Sequence, residues 1–233
     1  MPRSAIALVF LLPLAGCGPH VVGSGRVVFD DRELSEDVRV INLTDVGDLT
    51  VEFGDAPGIE IETDDNIIPL VVTSESGDVL TIRIRGSVSP SAGIKYRVTV
   101  KALDELSLSG AGNATVSHWA GSDVKVKISG AGDLTATEIA VNSFSCKLSG
   151  AGNMTVTGVT NKADLRISGA GKVAADGLRA AEVKADVSGA GSAQVWAEKD
   201  LRATISGAGS ISYLGNPHVH SSVSGAGTIQ PAR

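Results

Sequence analysis

The chain has 233 residues, 26 of them acidic and 20 basic, for a net charge of −6 and a pI near 5.2. That balance argues against a nucleic-acid partner, which calls for a basic excess. Aromatic residues make up 3% of the chain while 28 residues are glycine, so the expected core is small and aliphatic, and the length allows one or two domains.

Residues 1–17 read as a bacterial lipoprotein signal peptide. Arg3 supplies the positive start, Ala5 to Leu12 the apolar run, and Leu14-Ala15-Gly16-Cys17 a lipobox. The run is too short to span a bilayer and has the anatomy of a processing signal. Cys17 is therefore the expected lipidation site; the plainer alternative is an ordinary secretory signal with a chance cysteine. Gly18, not Asp, follows Cys17, so no inner-membrane retention signal is evident and the outer membrane is the expected location. Residues 18–25 read as a tether.

Residues 26–105 read as an irregular β lobe. Short apolar–polar alternations, such as Leu49–Phe53, Val79–Arg85 and Ile94–Val100, are separated by Gly, Asp, Asn and Pro, the pattern of strands and turns. Leu43–Val51 aligns with Ile128–Ala136 and reads as a worn copy of the unit that dominates the rest of the chain.

That unit, over residues 106–233, is marked by Ser-Gly-Ala-Gly. It occurs seven times, starting at Ser109, Ser129, Ser149, Ser168, Ser188, Ser206 and Ser224, with offsets of 20, 20, 19, 20, 18 and 18 residues. A fixed period of this size signals a solenoid. Before each serine stands an aliphatic residue: Leu108, Ile128, Leu148, Ile167, Val187, Ile205 and Val223. Five residues past it stand Ala114, Leu134, Met154, Val173, Ala193, Ile211 and Ile229. Polar residues alternate with these columns, as in half-buried strands. The prediction is a right-handed parallel β-helix with coils of 18–20 residues, stacked roughly 4.8 Å apart. The motif makes a corner, with glycine permitting positive φ or close approach, Ala pointing into the corner, and Ser hydroxyls bonding along the axis. Ten past the serine, Trp119, Ile139, Val159 and Leu178 are expected inward on a third short side, with Trp196 and Leu214 standing in for that column in the 18-residue coils.

These features resemble the head GIN domain family of putative auto-transporter adhesins. The carrying residues are Val46-Gly47-Asp48-Leu49-Thr50-Val51, Asp64-Asp65-Asn66-Ile67-Ile68-Pro69, Tyr96-Arg97-Val98-Thr99-Val100, and Leu106 to Asn113 with its successors. The match covers roughly residues 38–215. The resemblance implies a β-helical fold and an extracytoplasmic site, and it carries over no catalytic residue.

Candidate sites are few. Lys127, Lys147 and Arg166 fall in one outward column, a candidate face for an acidic glycan or a headgroup, although Asp164 and Asp186 interrupt it. Asp164, Arg166 and Asp186 are the best candidates for polysaccharide chemistry, but short uniform coils leave little loop to build a cleft. His218 and His220 share a strand face, and Asp200 stacks beside His218, too few ligands for a metal site. Thr115, Thr135 and Thr155, with Ser117, Thr137 and Thr157, form a hydroxyl patch that strand propensity explains. Cys146 sits in an inward column and reads as a small hydrophobe. No cofactor and no metal is expected. The sequence points to a non-enzymatic, lipid-anchored envelope protein, adhesin-like, held to a membrane through Cys17 and binding a glycan or an envelope protein. The alternatives are a polysaccharide-processing β-helix enzyme and a ligand-free scaffold.

Overall fold

The computed structural model describes residues 20–232. The signal peptide predicted over 1–17 and the lipidation site Cys17 lie outside the described residues. The first part of the described chain holds β1 (His20–Val22), β2 (Val27–Glu33), β3 (Val40–Leu43), β4 (Asp48–Phe53), β5 (Gly58–Asp64), β6 (Val71–Ser76), β7 (Val79–Ile84), β8 (Ser87–Ser89) and β9 (Lys95–Val100), with one 3-10 turn at Ile68–Leu70. The repeat region holds β10 (Glu105–Leu108), β11 (Asn113–Ser117), β12 (Ala120–Ile128), β13 (Leu134–Leu148), β14 (Asn153–Ile167), β15 (Lys172–Gly189), β16 (Ser192–Gly207), β17 (Ser210–Leu214), β18 (His218–Gly225) and β19 (Thr228–Pro231).

The molecule is an all-β solenoid of about six turns joined to a half-barrel sheet. Two sides of each coil carry the stack. On side A, ahead of the motif, Leu43, Leu108, Ile128, Leu148, Ile167, Val187, Ile205 and Val223 are successive parallel partners. On side B, after the motif, Leu49, Ala114, Leu134, Met154, Val173, Ala193, Ile211 and Ile229 are. Apart from the last pair, Val223 and Ile229, these columns are buried. The worn copy Leu43–Val51 thus sits in register with the regular coils.

The corner owes its glycines to contact. A Cβ on Gly130 would land on the carbonyl oxygen of Gly110, one on Gly150 on that of Gly130, and one on Gly110 on that of Asp45. Positive φ appears at this position only from Gly189 onward, in Gly189, Gly207 and Gly225. The carbonyls that fill the Cβ site accept the next coil's alanine N–H: Ala131 N to Gly110 O and Ala151 N to Gly130 O, both 3.2 Å. Backbone bonds between coils thus continue into the corner, until Asp133 N–H and Asn153 N–H turn to the side-chain oxygens of Asn113 and Asp133.

Three details of the coil differ from expectation. The motif alanines Ala111, Ala131 and Ala151 are exposed, and the following glycines Gly112, Gly132 and Gly152 take the buried place, because a side chain there would strike the coil below. Among the described residues, no motif serine bonds to another; Ser149 reaches the Ile128 carbonyl at 3.5 Å. Val159 is 54% exposed. The 19-residue coil loses its residue at the second corner, so Gly158 stands in register with Ile139 and Leu178 and Val159 turns outward. In the 18-residue coils the expected stand-ins Trp196 and Leu214 are half-buried; Trp196 stands in register with Arg179 and Leu214, and the Arg179 guanidinium lies 4.5 Å above its ring.

In the lobe, β7 and β9 continue the two sides by parallel pairing with β3 and β4. Antiparallel partners then close the end: β6 on β7, and β5 on β9 with β2 beyond it. Ile41, Ile59, Ile61, Leu80 and Tyr96 fill the core beneath them. The stretch expected to be a tether over 18–25 is tied down from residue 20 onward. Strand β1 pairs with β8, and residues 22–26 bond to side chains of the 64–66 segment.

Candidate functional site

Strand alternation sets the outward columns of side A. Lys127, Lys147 and Arg166 are direct cross-strand partners, and Asp186 follows Arg166. The structure thus assembles the predicted basic column and largely pairs it. Lys127 Nζ lies 2.6 Å from Glu105 Oε1, and Arg166 Nη2 lies 2.9 Å from Asp164 Oδ2. Lys184 pairs with Asp186 at 3.1 Å. Exposed pairs of this kind contribute under about 1 kcal/mol each, so their role is to neutralise the face. Among the described residues Lys147 has no carboxylate within 4.0 Å.

Two shallow grooves run along this side. One, about 670 Å³, is lined by Lys162, Asp164, Glu182, Lys184, Arg202 and His220 among others. The other, about 290 Å³, is lined by Lys147, Arg166, Asp186, Ser188 and Thr204. Both mix charges of both signs, and both lie open on the face of the rod. Asp164, Arg166 and Asp186, the candidates for polysaccharide chemistry, are neighbours as expected. Arg166 holds Asp164 as a partner, an arrangement that orients a charge but gives no closed cleft from which water is excluded. His218 stands beside Asp200 and His220 beside Arg202; among the described residues no three His, Cys, Asp or Glu side chains converge as metal ligands.

Inside, Cys146 is buried, with its Sγ 3.5 Å from Met154 Sδ. Burial, with a smaller contribution from the Asp164 charge, pushes its thiol up to about 12, so it behaves as a small apolar side chain. On side B the threonine column gains a member, since Thr50 precedes Thr115, Thr135 and Thr155 in register. Beside it runs a polar ladder that the sequence reading missed. Asn113 Nδ2 donates to Asp48 Oδ1 at 3.0 Å and Asn153 Nδ2 to Asp133 Oδ1 at 3.0 Å. Its signal was the Asn/Asp alternation directly after the motif, and it lends the stack polar support.

A family model described as "putative auto-transporter adhesin, head GIN domain" matches residues 39–217. The chain belongs to this family. Solved structures similar to this chain include the following three. A "putative adhesin" from Bacteroides fragilis is 23% identical, with a TM-score of 0.85, 91% of this chain and all of that one aligned. A "putative lipid binding protein" from Parabacteroides distasonis is 22% identical, with a TM-score of 0.74 over 92% of this chain and all of that one. A "putative adhesin" from Parabacteroides merdae is 26% identical, with a TM-score of 0.69 over 93% of this chain and all of that one. No curated protein matches the chain.

In this head GIN domain the segment Asp64-Asp65-Asn66 works as a clamp. The inaccessible Asp64 carboxylate accepts Gly25 N–H at 2.7 Å, Ser91 N–H at 2.7 Å and the Ser91 hydroxyl at 2.6 Å. Bonds from Ser91 above all, with Gly25 adding to them, hold its carboxyl below the ordinary value of 3.8. The Ser24 hydroxyl donates to Asp65 at 2.6 Å, and Asn66 Nδ2 donates to the Val22 carbonyl at 2.8 Å. The motif thus binds the incoming chain, residues 22–26, and the loop at Ser91 into one body. Nothing in the local sequence names partners that lie 27 to 44 positions away.

Proposed function

We propose that this head GIN domain protein is a non-enzymatic, lipid-anchored module of the cell envelope, held at the outer membrane through Cys17, that binds a glycan or an envelope protein along side A. The adhesin names of its family and of its structural relatives support an envelope role without chemistry. The observation that carries the reading is the form of side A. Its grooves are open, cross several coils and are lined by charges of both signs, most of them paired, which suits repeated weak contacts along a rigid rod better than a single enclosed reaction centre. Lys147, beside Arg166 in the smaller groove, is the cation best placed to meet an acidic group.

The test is a glycan array probed with the wild-type protein and with Lys147→Ala/Arg166→Ala. Selective binding that the double variant loses supports a recognition face on side A. Binding that the variant retains moves the site elsewhere, and absence of binding by both removes glycans as the ligand class. Lipidation is tested separately: Cys17→Ser is expected to move the protein from the membrane fraction to the soluble one.

A further inference from the structure

We propose that the N-terminal lobe is a membrane seat, in which Val22, Val27 and Phe29 rest at the headgroup boundary of a bilayer and the rod stands with β18 and β19 away from it. The proposal rests on the lipid-anchor reading of Cys17 and adds to it which surface meets the membrane.

The lobe leaves apolar side chains uncovered where the chain enters it. Val22 is 65% exposed, Phe29 63% and Val27 38%. Val27 and Phe29 alternate on one face of β2, the last strand of side B, which pairs with β5. The other large apolar side chains exposed among the described residues are Val46, Val159, and Val219 and Val223 on the far coil, so Phe29 is the aromatic of the set. Phenylalanine and valine on a protein surface gain by entering the headgroup–acyl boundary.

The geometry of the chain brings a bilayer to this place. Two residues, Gly18 and Pro19, separate Cys17 from His20. Three Cα steps span at most about 11 Å. From His20 onward the chain is bonded to the lobe. The His20 ring bonds to the Ser87 and Ser89 hydroxyls at 3.1 Å each, Gly23 N donates to Ser89 O at 2.9 Å, and the Asp64 clamp takes over at Gly25. A lipid on Cys17 therefore holds β1 with Val22, and the start of β2 that carries Val27 and Phe29, close to the membrane surface. Charge selects the kind of surface. Arg26 is exposed beside Val27, but Asp31 and Glu33 follow on the face of β2 that carries Phe29, and such a face suits zwitterionic headgroups better than a strongly anionic layer.

The experiment uses the full chain, processed with its own signal peptide and reconstituted in phosphatidylethanolamine vesicles with a minor share of phosphatidylglycerol. A bimane label is placed through Asp31→Cys, next to Phe29 on the same face, or through Thr228→Cys on the far coil. Buried Cys146 stays unlabelled. Vesicles carrying a nitroxide lipid report contact. The expected result is strong quenching of the label at position 31, none at position 228, and loss of the first when Val27→Ser/Phe29→Ser is added. Equal quenching at the two positions, or none at either, in protein that still floats with the vesicles would overturn the seat and leave the anchor standing. Protein that carries no lipid and does not float would overturn the anchor reading, and the seat with it.

Discussion

In the regular coils the chain returns to register through a four-residue glycine corner, and on the two sides flanking it each coil repeats the one before. In the lobe the same two sides are carried on by β7 and β9 and then closed by antiparallel strands. The first solution is local: a residue's environment is its own motif, one coil earlier. The second is long-range, since what holds β1 in place sits at residues 64–66 and 87–91. The contrast teaches where each region is fragile. The stack tolerates little change in backbone contact, while the lobe depends on a few polar side chains.

The largest expected effect comes from the glycine corner. Gly130→Ala puts a methyl group onto the Gly110 carbonyl, and backbone cannot give way as a side chain does. A loss of roughly 3 kcal/mol is expected, at the upper end for overpacking. Gly25→Ala is the matched change in the lobe. Its φ is +84° with nothing within 4 Å of the added carbon, so only backbone strain remains, about 1 kcal/mol. Urea denaturation of both variants checks the difference. Equal losses would mean that the Gly110 carbonyl gives way and that contact does not fix glycine at position 130.

The lobe's counterpart is Asp64→Asn, which keeps the shape and replaces a carboxylate that accepts three bonds by an amide. Its effect is expected to be local: faster hydrogen exchange at residues 20–26, with the coil amides unchanged. The pH dependence has a definite sign. Because the folded carboxyl titrates below its ordinary 3.8, the stability it lends is complete above that value and is lost as pH falls through the lower, folded one. Protection of β1 in the wild type should therefore fade only below pH 3.8, and Asp64→Asn should remove that step. A variant in which coil and lobe amides lose protection together would show that the two regions unfold as one.

The same contrast explains what was legible in the sequence. The stack could be read because Leu108, Ile128 and Leu148 repeat at one interval and their neighbours alternate in polarity. The basic column Lys127, Lys147 and Arg166 followed from the same arithmetic. The direction of Ala131 did not, since the motif alone does not say which of its small residues faces the lower coil. Val159 was misplaced because a single missing residue shifts every later position and spacing cannot say where the gap falls. The Asp64 clamp was visible as a motif and silent as a mechanism, because its partners are distant in sequence. The role of residues 20–25 was hidden for the same reason.

Inside the stack, Cys146 offers an effect that appears only in alkali. Its thiol is pushed up to about 12 by burial. A group whose folded value is raised contributes stability that is intact below the unfolded value, 9.0 for this thiol, and is lost as pH rises through the folded one. Stability should fall by about 1.4 kcal/mol per pH unit above pH 9 on this account. Tyr96, also raised by burial, contributes in the same direction, so the informative quantity is the difference from Cys146→Ala. That difference should shrink steadily above pH 9. A constant offset would mean that the thiol is less shielded than its burial implies.

The smallest effect separates the two kinds of corner within one coil. The corner after side B is governed by conformation. His118 and Glu138 hold φ of 57° and 56°, and their side chains pair across coils at 2.7 Å while remaining exposed. Glu138→Gly should relieve about 1 kcal/mol of left-handed strain while adding 0.5–1 kcal/mol of unfolded-state entropy, roughly, for the glycine. With a weak surface pair lost as well, the net change should stay within about 0.5 kcal/mol. Glu138→Val keeps the strain and adds a branched Cβ that the left-handed region disfavours, so it should cost more than about 1 kcal/mol. The ranking matters more than either value: glycine near neutral and valine costly at position 138, against any side chain costly at position 130, would establish that one corner is limited by torsion and the other by the coil beneath it.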